Sequence, residues 1–380
     1  TENTISQIET VQIDATHFIH RATIRGLETE QPYVYRVRSG STATPNYGFR
    51  TAPYPDTPFA VAWWSDSQTG PGVLHQLIPS MITNHVDWMG VSGDLASSGN
   101  SLHDWKAYWF DALEFDNIAQ TRPALFSRGN HDAEYAFSYA YSVLPGNGAW
   151  YAFDYGNSRF IFLDSEASTS ASPEQYAWLV NELSRPETQR AAFRVVSFHR
   201  LPYANLWNGG GYTGETWVRN DWVPLFRQYH VDMVINGHSH NYNRGITNGV
   251  TYTVVGGGGG YLDTERVAFW PVFTEEFSLF HYALMQINGR TMTWTAHGLN
   301  DEILDATTLP SRVPELALER NNALVLAGKP GETYVIESSP DLQTWTAWAT
   351  YALPDTGTGR WTNTITVDST FRAYRARTSN

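Results

Sequence analysis

Between residues 55 and 304, short apolar runs typical of β-strands alternate with longer amphipathic stretches typical of helices. The five clearest runs are FAVAWWSD, VDWMGVSGD, PALFSRGN, FRVVSFH and VDMVINGH, and the helix candidates are residues 73–84, 102–118, 173–183 and 219–229. The third helix candidate has Ser172 as a predicted N-cap, Pro173 at its first position and Gln175 completing a predicted capping box. This alternation predicts an α/β domain.

The two flanking zones have a different pattern. Residues 1–54 contain alternating apolar and polar residues typical of strands, and residues 305–380 contain short strand-like runs separated by Gly, Pro, Asn and Asp. The chain has 380 residues, of which 42% are hydrophobic and 17% charged, so it can bury more than one core. We therefore predict an α/β domain over 55–304 between two small all-β pieces, 1–54 and 305–380.

Charge and cysteine content exclude several classes of protein. The 25 Lys and Arg residues are outnumbered by 38 Asp and Glu, and the resulting net charge of −13 argues against a binder of nucleic-acid duplexes. Small phosphorylated substrates remain open, because a bound metal can supply positive charge locally. The chain has no cysteine, which excludes thiolate metal sites, disulfides and cysteine nucleophiles.

Segments for membrane insertion or targeting are not evident in the sequence. No stretch approaches the roughly 20 apolar residues that a membrane span needs. Residues 1–3 lack the charged-then-apolar pattern of a signal peptide. We expect either a cytosolic protein or an exported one, secreted or periplasmic, whose leader has been removed.

Each of the five apolar runs ends in a residue that can bind a metal. These residues are Asp66, Asp94, Asn130 (followed by His131 and Asp132), His199, and His238 with His240 two positions later. In open α/β sheets, ligands bind beyond the carboxyl ends of the strands, so these side chains are expected to converge. Oxygen and imidazole donors without sulfur suit zinc, manganese or iron. Six donors exceed the needs of one closed site, whereas two metals that share a carboxylate would use them all.

The spacing of these residues supports the same interpretation. Gly93 and Gly129 precede Asp94 and Asn130, and glycine permits the tight turns that bring backbone close to a metal. A single strand-end Asp or buried His is usually structural, so the ordered set carries the prediction rather than any one member.

The complete motif order resembles a known superfamily. Asp66, Gly93-Asp94, Gly129-Asn130-His131-Asp132, His199 and Gly237-His238-Ser239-His240 are similar to the calcineurin-like metallophosphoesterases and, within them, to the purple acid phosphatase branch. The resemblance implies a four-layer α/β/β/α catalytic sandwich. It extends to the N-terminal zone, which resembles the last strands of a fibronectin type III-like sandwich through Leu27, Tyr33, Tyr35, Arg36, Val37, Phe49, Arg50 and Thr51.

The resemblance also implies a role for each motif residue. Its metal ligands would be the bridging Asp94, Asp66 and His240 for the first metal, and Asn130, His199 and His238 for the second. His131, oriented by Asp132, would act as general acid or stabilise the transition state. A hydroxide held by the two metals would attack phosphorus in line.

Two positions depart from the family pattern. Gln68 stands where the superfamily often has histidine, so it is expected to be a weaker ligand of the first metal through its amide oxygen. Ser97 stands where the purple enzymes have a tyrosinate. Without that tyrosine the case for ferric iron weakens, and we expect a colourless protein with two divalent metals, manganese or zinc before iron.

Substrate-binding candidates lie just after His199. Arg200 could clamp a phosphate, although a surface salt bridge is an equal alternative. Tyr203 and Trp207 begin an aromatic, glycine-rich loop that would either stack on the organic part of a substrate or pin the loop to the core. The five glycines at 256–260 lack a phosphate-loop lysine and predict close backbone passage near the site.

The predicted activity is dimetal-dependent hydrolysis of phosphoesters, with monoester and diester substrates both open. Two alternatives remain at this stage. One is an exported carbohydrate-active enzyme that uses the same metals on a polysaccharide or its ester groups, suggested by the aromatic loop and by residues 305–380, which resemble a β-sandwich module of exported bacterial proteins. The other is a binding module with a degenerate site, which the complete ligand set disfavours.

Overall fold

The N-terminal zone folds as three separate antiparallel strand pairs. In the computed structural model the described residues are 8–132, 138, 140–167, 172–318, 323–354, 360–364 and 372–379, so residues 1–7 of the predicted first zone lie outside them. The strands of this zone are β1 (Ile8–Gln12), β2 (Phe18–Ala22), β3 (Pro32–Tyr35), β4 (Arg38–Ser39), β5 (Thr42–Ala43) and β6 (Tyr47–Arg50). They pair as β1–β2, β3–β6 and β4–β5. The fibronectin-like origin of this piece stays a prediction.

Thirteen further strands form the two large sheets at the centre of the described structure. They are β7 (Phe59–Trp64), β8 (Trp88–Val91), β9 (Ala124–Phe126), β10 (Tyr151–Tyr155), β11 (Ser158–Phe162), β12 (Phe193–Arg200), β13 (Met233–Gly237), β14 (Tyr242–Thr247), β15 (Val250–Val255), β16 (Phe273–Phe277), β17 (His281–Asn288), β18 (Thr291–Gly298) and β19 (Ile303–Pro310). One sheet has the order β19-β18-β17-β7-β8-β9, and the other β10-β11-β12-β13-β15-β14-β16. The strands that carry the predicted ligands are parallel within each sheet.

The two sheets face each other across an aromatic core. Residues of β7 alternate between its two faces, so Val61 and Trp63 point into the space between the sheets. The ring of Trp63 stacks on Phe162 of the opposite sheet at a centroid distance of 5.8 Å, and Trp88 meets Phe160 edge to face at 4.8 Å. All four side chains are fully buried, which fixes the relative position of the two sheets and therefore of the loops at their ends.

Helices cover the outer face of each sheet. They are α1 (Pro71–Thr83), α2 (Leu102–Asp104), α3 (Asp111–Glu114), α4 (Ile118–Thr121), α5 (Pro173–Ser184), α6 (Pro186–Arg190) and α7 (Thr216–Gln228). Trp64, on the outer face of β7, shares a core with Leu77 of α1, and Phe198 of β12 shares one with Trp222 of α7. The layers therefore run α/β/β/α, as the resemblance implied, and the predicted fold class is confirmed.

The helix predicted over 102–118 is broken into pieces. A π-helix (Trp105–Phe110) and a 3₁₀ turn (Phe115–Asn117) separate α2, α3 and α4. Asp116 and Asn117 adopt left-handed backbone with φ of 51° and 56°. Asn and Asp tolerate this conformation better than most residues, so the helical direction can change here.

The capping box predicted at the start of α5 is wrong. Ser172 occupies the N-cap position, but its side chain makes no capping hydrogen bond. Gln175 is buried and bonds to both backbone groups of Asp164, accepting from the amide at 2.8 Å and donating to the carbonyl at 2.9 Å. The glutamine thus ties α5 to the loop that follows β11.

The C-terminal zone contains two three-stranded antiparallel sheets. Its strands are β20 (Glu315–Leu318), β21 (Ala323–Ala327), β22 (Thr333–Ser339), β23 (Thr346–Ala352), β24 (Arg360–Thr364) and β25 (Ala373–Thr378), in the orders β20-β21-β24 and β23-β22-β25. Leu326, Tyr334 and Ile336 form their shared core. β19 crosses the predicted division between residues 304 and 305, because it extends the central sheet to Pro310. The domain bounds stay a prediction. Among the described helices, each is too short or too polar to cross a membrane.

Candidate metal centre

The loops after five strands bring the predicted ligands together. Asp66, Asp94 and Asn130 follow β7, β8 and β9 of one sheet, while His199 is the last but one residue of β12 and the pair His238 and His240 follows β13 of the other. Two groups of donor atoms result, Asp94 with His199 and His238, and Asp66 with Asp94 and His240, each with its atoms within 4.8 Å of one another. Asp94 belongs to both groups, as a ligand that bridges two metals must.

The second group is centred on His199. Its Nε2 lies 3.4 Å from Asp94 Oδ2, 3.0 Å from Asn130 Oδ1 and 3.2 Å from His238 Nδ1. Its Nδ1 donates to the Ser92 carbonyl at 2.8 Å, since a carbonyl can only accept. This bond fixes the tautomer that leaves Nε2 free to bind a metal.

The first group has the same construction. His240 Nε2 lies 3.4 Å from Asp66 Oδ1, and its Nδ1 donates to the Tyr261 carbonyl at 2.7 Å. Gln68 Nε2 lies 3.4 Å from both Asp94 Oδ2 and His240 Nε2, while Gln68 Oε1 is buried with no hydrogen-bond partner. Rotation of the Gln68 amide exchanges Nε2 and Oε1 and would turn the unpartnered oxygen toward Asp94 and His240. There the oxygen suits a hard metal.

Three of the ligands adopt left-handed backbone. Asp66, Asp94 and His238 have φ of 61°, 56° and 71°. Each such non-glycine residue costs on the order of 1–2 kcal/mol and persists only where the surroundings impose it. Gly129 is required beside them, because a Cβ there would collide with the Asp94 carboxylate. The turns that aim the ligands inward are therefore strained.

The charges of the group are arranged for a cation. Burial disfavours the charged form of His199, but the Asp94 carboxylate outweighs it and raises the pKa of His199 to about 10. Burial also disfavours the charged form of His240, but the Asp66 carboxylate outweighs it and raises the pKa of His240 to about 9. Burial, with the nearby His199 and Arg200, lowers the pKa of His238 well below its usual range. Because metals bind the neutral imidazole, binding here releases protons and strengthens as the pH rises.

Replacing Gln68 by histidine is expected to tighten binding of the first metal. A neutral imidazole is a stronger donor to these metals than an amide oxygen. Changing even a hydrogen-bond partner of a ligand alters metal affinity by at least about tenfold, so we expect the affinity for the first metal to rise by at least that factor. Titration of metal-free protein with manganese or zinc measures it. The control is Gln76→His, at an exposed glutamine of α1. Equal affinities of Gln68→His and the parent protein would remove Gln68 from the ligand set.

His131 stands at the edge of the centre with its ring partly exposed. Its Nδ1 donates to the Ser97 carbonyl at 2.7 Å, and its Nε2 lies 4.0 Å from Asp94 Oδ2. Asp132 is fully buried and accepts hydrogen bonds from the amides of Leu95, Ala96 and Gly129. Ser97 therefore orients the ring of His131, where the family resemblance implied Asp132. Asp132 instead holds together the two loops that carry Asp94 and Asn130.

Arg200 is held by carboxylates. Its Nε lies 2.9 Å from both oxygens of Glu166, and its Nη1 lies 3.4 Å from Glu215 and 3.4 Å from His238 Nε2. Of the two open roles, this arrangement favours the structural one, although the guanidinium does reach the edge of the metal centre. Burial and the Glu166 charge act in opposite directions on Arg200, and the net effect is a raised pKa.

The aromatic loop is divided between core and site. Tyr203 is partly buried and packs against Trp270 and Tyr252 at 5.1 and 5.5 Å, at the edge of the core beneath the outer helices, so the structure does not bring it to the metal centre. Trp207 lies against His238 with 4.8 Å between ring centroids, and Tyr212 lies 5.0 Å from the same ring. Trp207 therefore belongs to the surroundings of the second metal group.

The glycine run passes close to the ligands. The amide of Gly260 donates to the Asp66 carbonyl at 2.7 Å, and a Cβ at that glycine would lie 2.6 Å from the ring of His240. A Cβ at Gly256 would collide with the Ser239 carbonyl. Only glycine allows this passage, in agreement with the interpretation of the run.

Two carboxylates that hold neighbours of the metal ligands in place, Asp263 and Glu166, could not be identified from the sequence. Asp263 accepts from the amides of His240 and Asn208 at 2.8 and 2.7 Å, and Glu166 pairs with Arg200. Both lie in loops far along the chain from their partners. Local spacing carries no signal for such contacts.

Comparisons with known proteins agree with the geometry. Residues 64–242 match the family described as calcineurin-like phosphoesterase, which confirms the resemblance in the motifs. The chain is 27% identical over 308 residues to probable inactive purple acid phosphatase 24 of Arabidopsis thaliana, covering 64% of this chain and 49% of that protein. It is 27% identical over 343 residues to purple acid phosphatase 18 of the same plant, covering 82% and 72%. It thus spans about half the length of the first of these relatives. A purple acid phosphatase from yellow lupin (Lupinus luteus) seeds shares the fold, with a TM-score of 0.70, 19% identity, and 80% and 66% of the two chains covered.

Proposed function

We propose that this chain, which carries a calcineurin-like phosphoesterase domain and has purple acid phosphatases among its homologues, hydrolyses phosphoric esters with two metal ions bound at the centre described above. The observation that carries the proposal is the membership of Asp94 in both donor groups. Two bound metals at such a site would neutralise phosphate charge and lower the pKa of water.

The residues of the chain divide the remaining work. Asp66, Asp94 and His240, with Gln68, would hold the first metal, and Asp94, Asn130, His199 and His238 the second. His131 presents Nε2 toward Asp94 from an exposed position, where it can donate a proton to the leaving oxygen of a bound ester or bond to the phosphoryl oxygens. Asp132 keeps the two ligand loops in register.

The choice of metal follows from one side chain. Ser97 contributes a backbone carbonyl to His131, and its hydroxyl is no substitute for the tyrosinate that stabilises ferric iron. Carboxylate, amide and imidazole donors suit manganese or zinc. We therefore propose two divalent ions, manganese or zinc, and a colourless protein.

The substrate is proposed to be a small phosphorylated molecule. Gln68 in place of histidine favours phosphodiesters as substrates, whereas the purple acid phosphatase homologues favour phosphomonoesters. The polysaccharide alternative is not supported by the comparisons, and Tyr203, one of the aromatics that suggested it, packs against the core. We also propose that the protein is secreted or periplasmic, because the C-terminal module resembles one found in exported proteins. Fractionation of the source cells tests this location.

A metal add-back assay tests the proposed function. Protein stripped with a chelator is expected to regain release of nitrophenol from 4-nitrophenyl phosphate or bis(4-nitrophenyl) phosphate when manganese or zinc is restored. The ratio of the two rates assigns the preference for monoesters or diesters. Folded protein that takes up metal yet hydrolyses neither ester, with any of manganese, zinc or iron, would overturn the proposal.

A further inference from the structure

A stretch of surface beside the metal centre presents aromatic rings. Trp207 is partly buried, with its ring against His238 and 4.7 Å from the ring of Tyr212. Tyr261 is 87% exposed, and its own carbonyl accepts the hydrogen bond from His240 Nδ1. The ring of Trp207 therefore adjoins a ligand of the second metal group, and the backbone of Tyr261 adjoins a ligand of the first. We call Trp207 and Tyr261 the aromatic wall.

The backbone of this wall is fixed by hydrogen bonds. The amide of Trp207 donates to the Glu265 carbonyl at 2.9 Å. The next amide, of Asn208, donates to Asp263 Oδ1 at 2.7 Å, and Asp263 Oδ2 accepts from the amide of His240 at 2.8 Å. The loop with Trp207 and the loop with His240 are thus one unit. Because the backbone is fixed and the Trp207 ring packs against His238 and Tyr212, the ring loses little conformational freedom when a ligand stacks on it.

The polar side chains of Asn208 and Asp263, which lie next to the wall in the same loops, are already engaged in hydrogen bonds. Asn208 Nδ2 donates to the Leu262 carbonyl at 2.9 Å, and its Oδ1 accepts from the amides of Thr264 and Glu265 at 2.9 and 3.0 Å. Both oxygens of Asp263 accept from backbone amides. A polyhydroxylated group placed here would lose water without gaining these hydrogen bonds, whereas a flat ring would gain contact with the aromatic faces.

Resting on the proposed function, we infer that the aromatic wall binds the organic part of the substrate, and that this part is a planar aromatic group rather than a polyol. Trp207 is then a specificity-determining residue. Its effect falls on the binding of the ring and not on the binding of the phosphoryl group, because the metal ligands are separate side chains.

Calorimetric titration of the metal-loaded protein tests the inference with phenylphosphonate and methylphosphonate, which share a phosphonate head and differ in the ring. Stacking on one aromatic residue should make phenylphosphonate bind about tenfold tighter. Trp207→Ala is expected to remove this preference and Trp207→Phe to keep most of it. Trp348→Ala, at a tryptophan of β23, is the control and should leave the preference unchanged.

The outcomes separate this inference from the proposed function. Equal binding of the two phosphonates by the parent protein, with inorganic phosphate still bound, would overturn the aromatic wall alone. Failure to bind phosphate or either phosphonate would overturn the proposed function as well. If Trp207→Ala weakens all three ligands equally, Trp207 acts through His238 and the inference is wrong. A second pair, adenosine 5′-monophosphate and ribose 5-phosphate, distinguishes a nucleobase from a simple aryl group as the ring that is preferred.

Discussion

Asp94→Asn is expected to remove both metals and, with them, the hydrolysis of phosphoesters. The side chain belongs to both donor groups, and asparagine keeps its size while removing the charge that two cations share. Loss of an outer partner of a ligand already lowers metal affinity by about 10–100-fold, so loss of a shared ligand should exceed about 100-fold. Elemental analysis of the purified variant and titration with manganese measure the loss.

A second buried carboxylate provides the control for Asp94→Asn. Asp232 is 4% exposed, accepts from the amide of Arg194 at 2.9 Å, and lies before β13, at the end of that strand opposite to the metal centre. Asp232→Asn should lower stability but retain both metals. If Asp94→Asn still binds two metals with the affinity of the parent protein, Asp94 is not a bridge and the dimetal proposal fails.

His131→Ala is expected to reduce turnover by about 10²–10⁴-fold, the range for loss of a general acid, while metal content stays at the level of the parent protein. The side chain is 42% exposed and is bonded to the Ser97 carbonyl, so its removal leaves no buried gap. Steady-state kinetics together with elemental analysis check both parts of this expectation. Equal loss of metal and activity would assign His131 to the ligands instead.

The leaving group separates the two roles open to His131. A general acid matters most when the departing oxygen is a poor leaving group, so the variant should lose more activity on an alkyl phosphate than on 4-nitrophenyl phosphate. A residue that only stabilises phosphoryl oxygens would cost both substrates the same factor. His103→Ala, at an exposed histidine of α2, should change neither rate.

The sequence predicted those parts of the site that depend on strand ends. Apolar runs identify β7, β8, β12 and β13, and the carboxyl ends of parallel strands converge, so the order of ligands could be deduced without coordinates. The resemblance to a family then assigned Asp94 as the bridge, and its place in both donor groups agrees with that role. Helices α1, α5 and α7 were also found close to their true positions.

Contacts between distant segments could not be predicted in this way. Gln175 follows the pattern of a helix cap, yet the buried backbone of Asp164 is a better partner. Tyr203 and Trp207 are both aromatic residues of one loop, and only the tertiary fold places the first against the core and the second against His238. Asp263 carries no local signal, because both of its partners come from other loops.

The left-handed backbone of Asp66, Asp94 and His238 sets stability against function in this chain. Glycine would relieve the backbone strain at each of these three positions. In the absence of metal, this relief would offset part of the stability lost with the side-chain contacts. Bound metal adds a further contribution that favours the present residues over glycine. Selection of random variants for heat resistance in chelator would therefore erode the metal centre, whereas the same selection in manganese would preserve it.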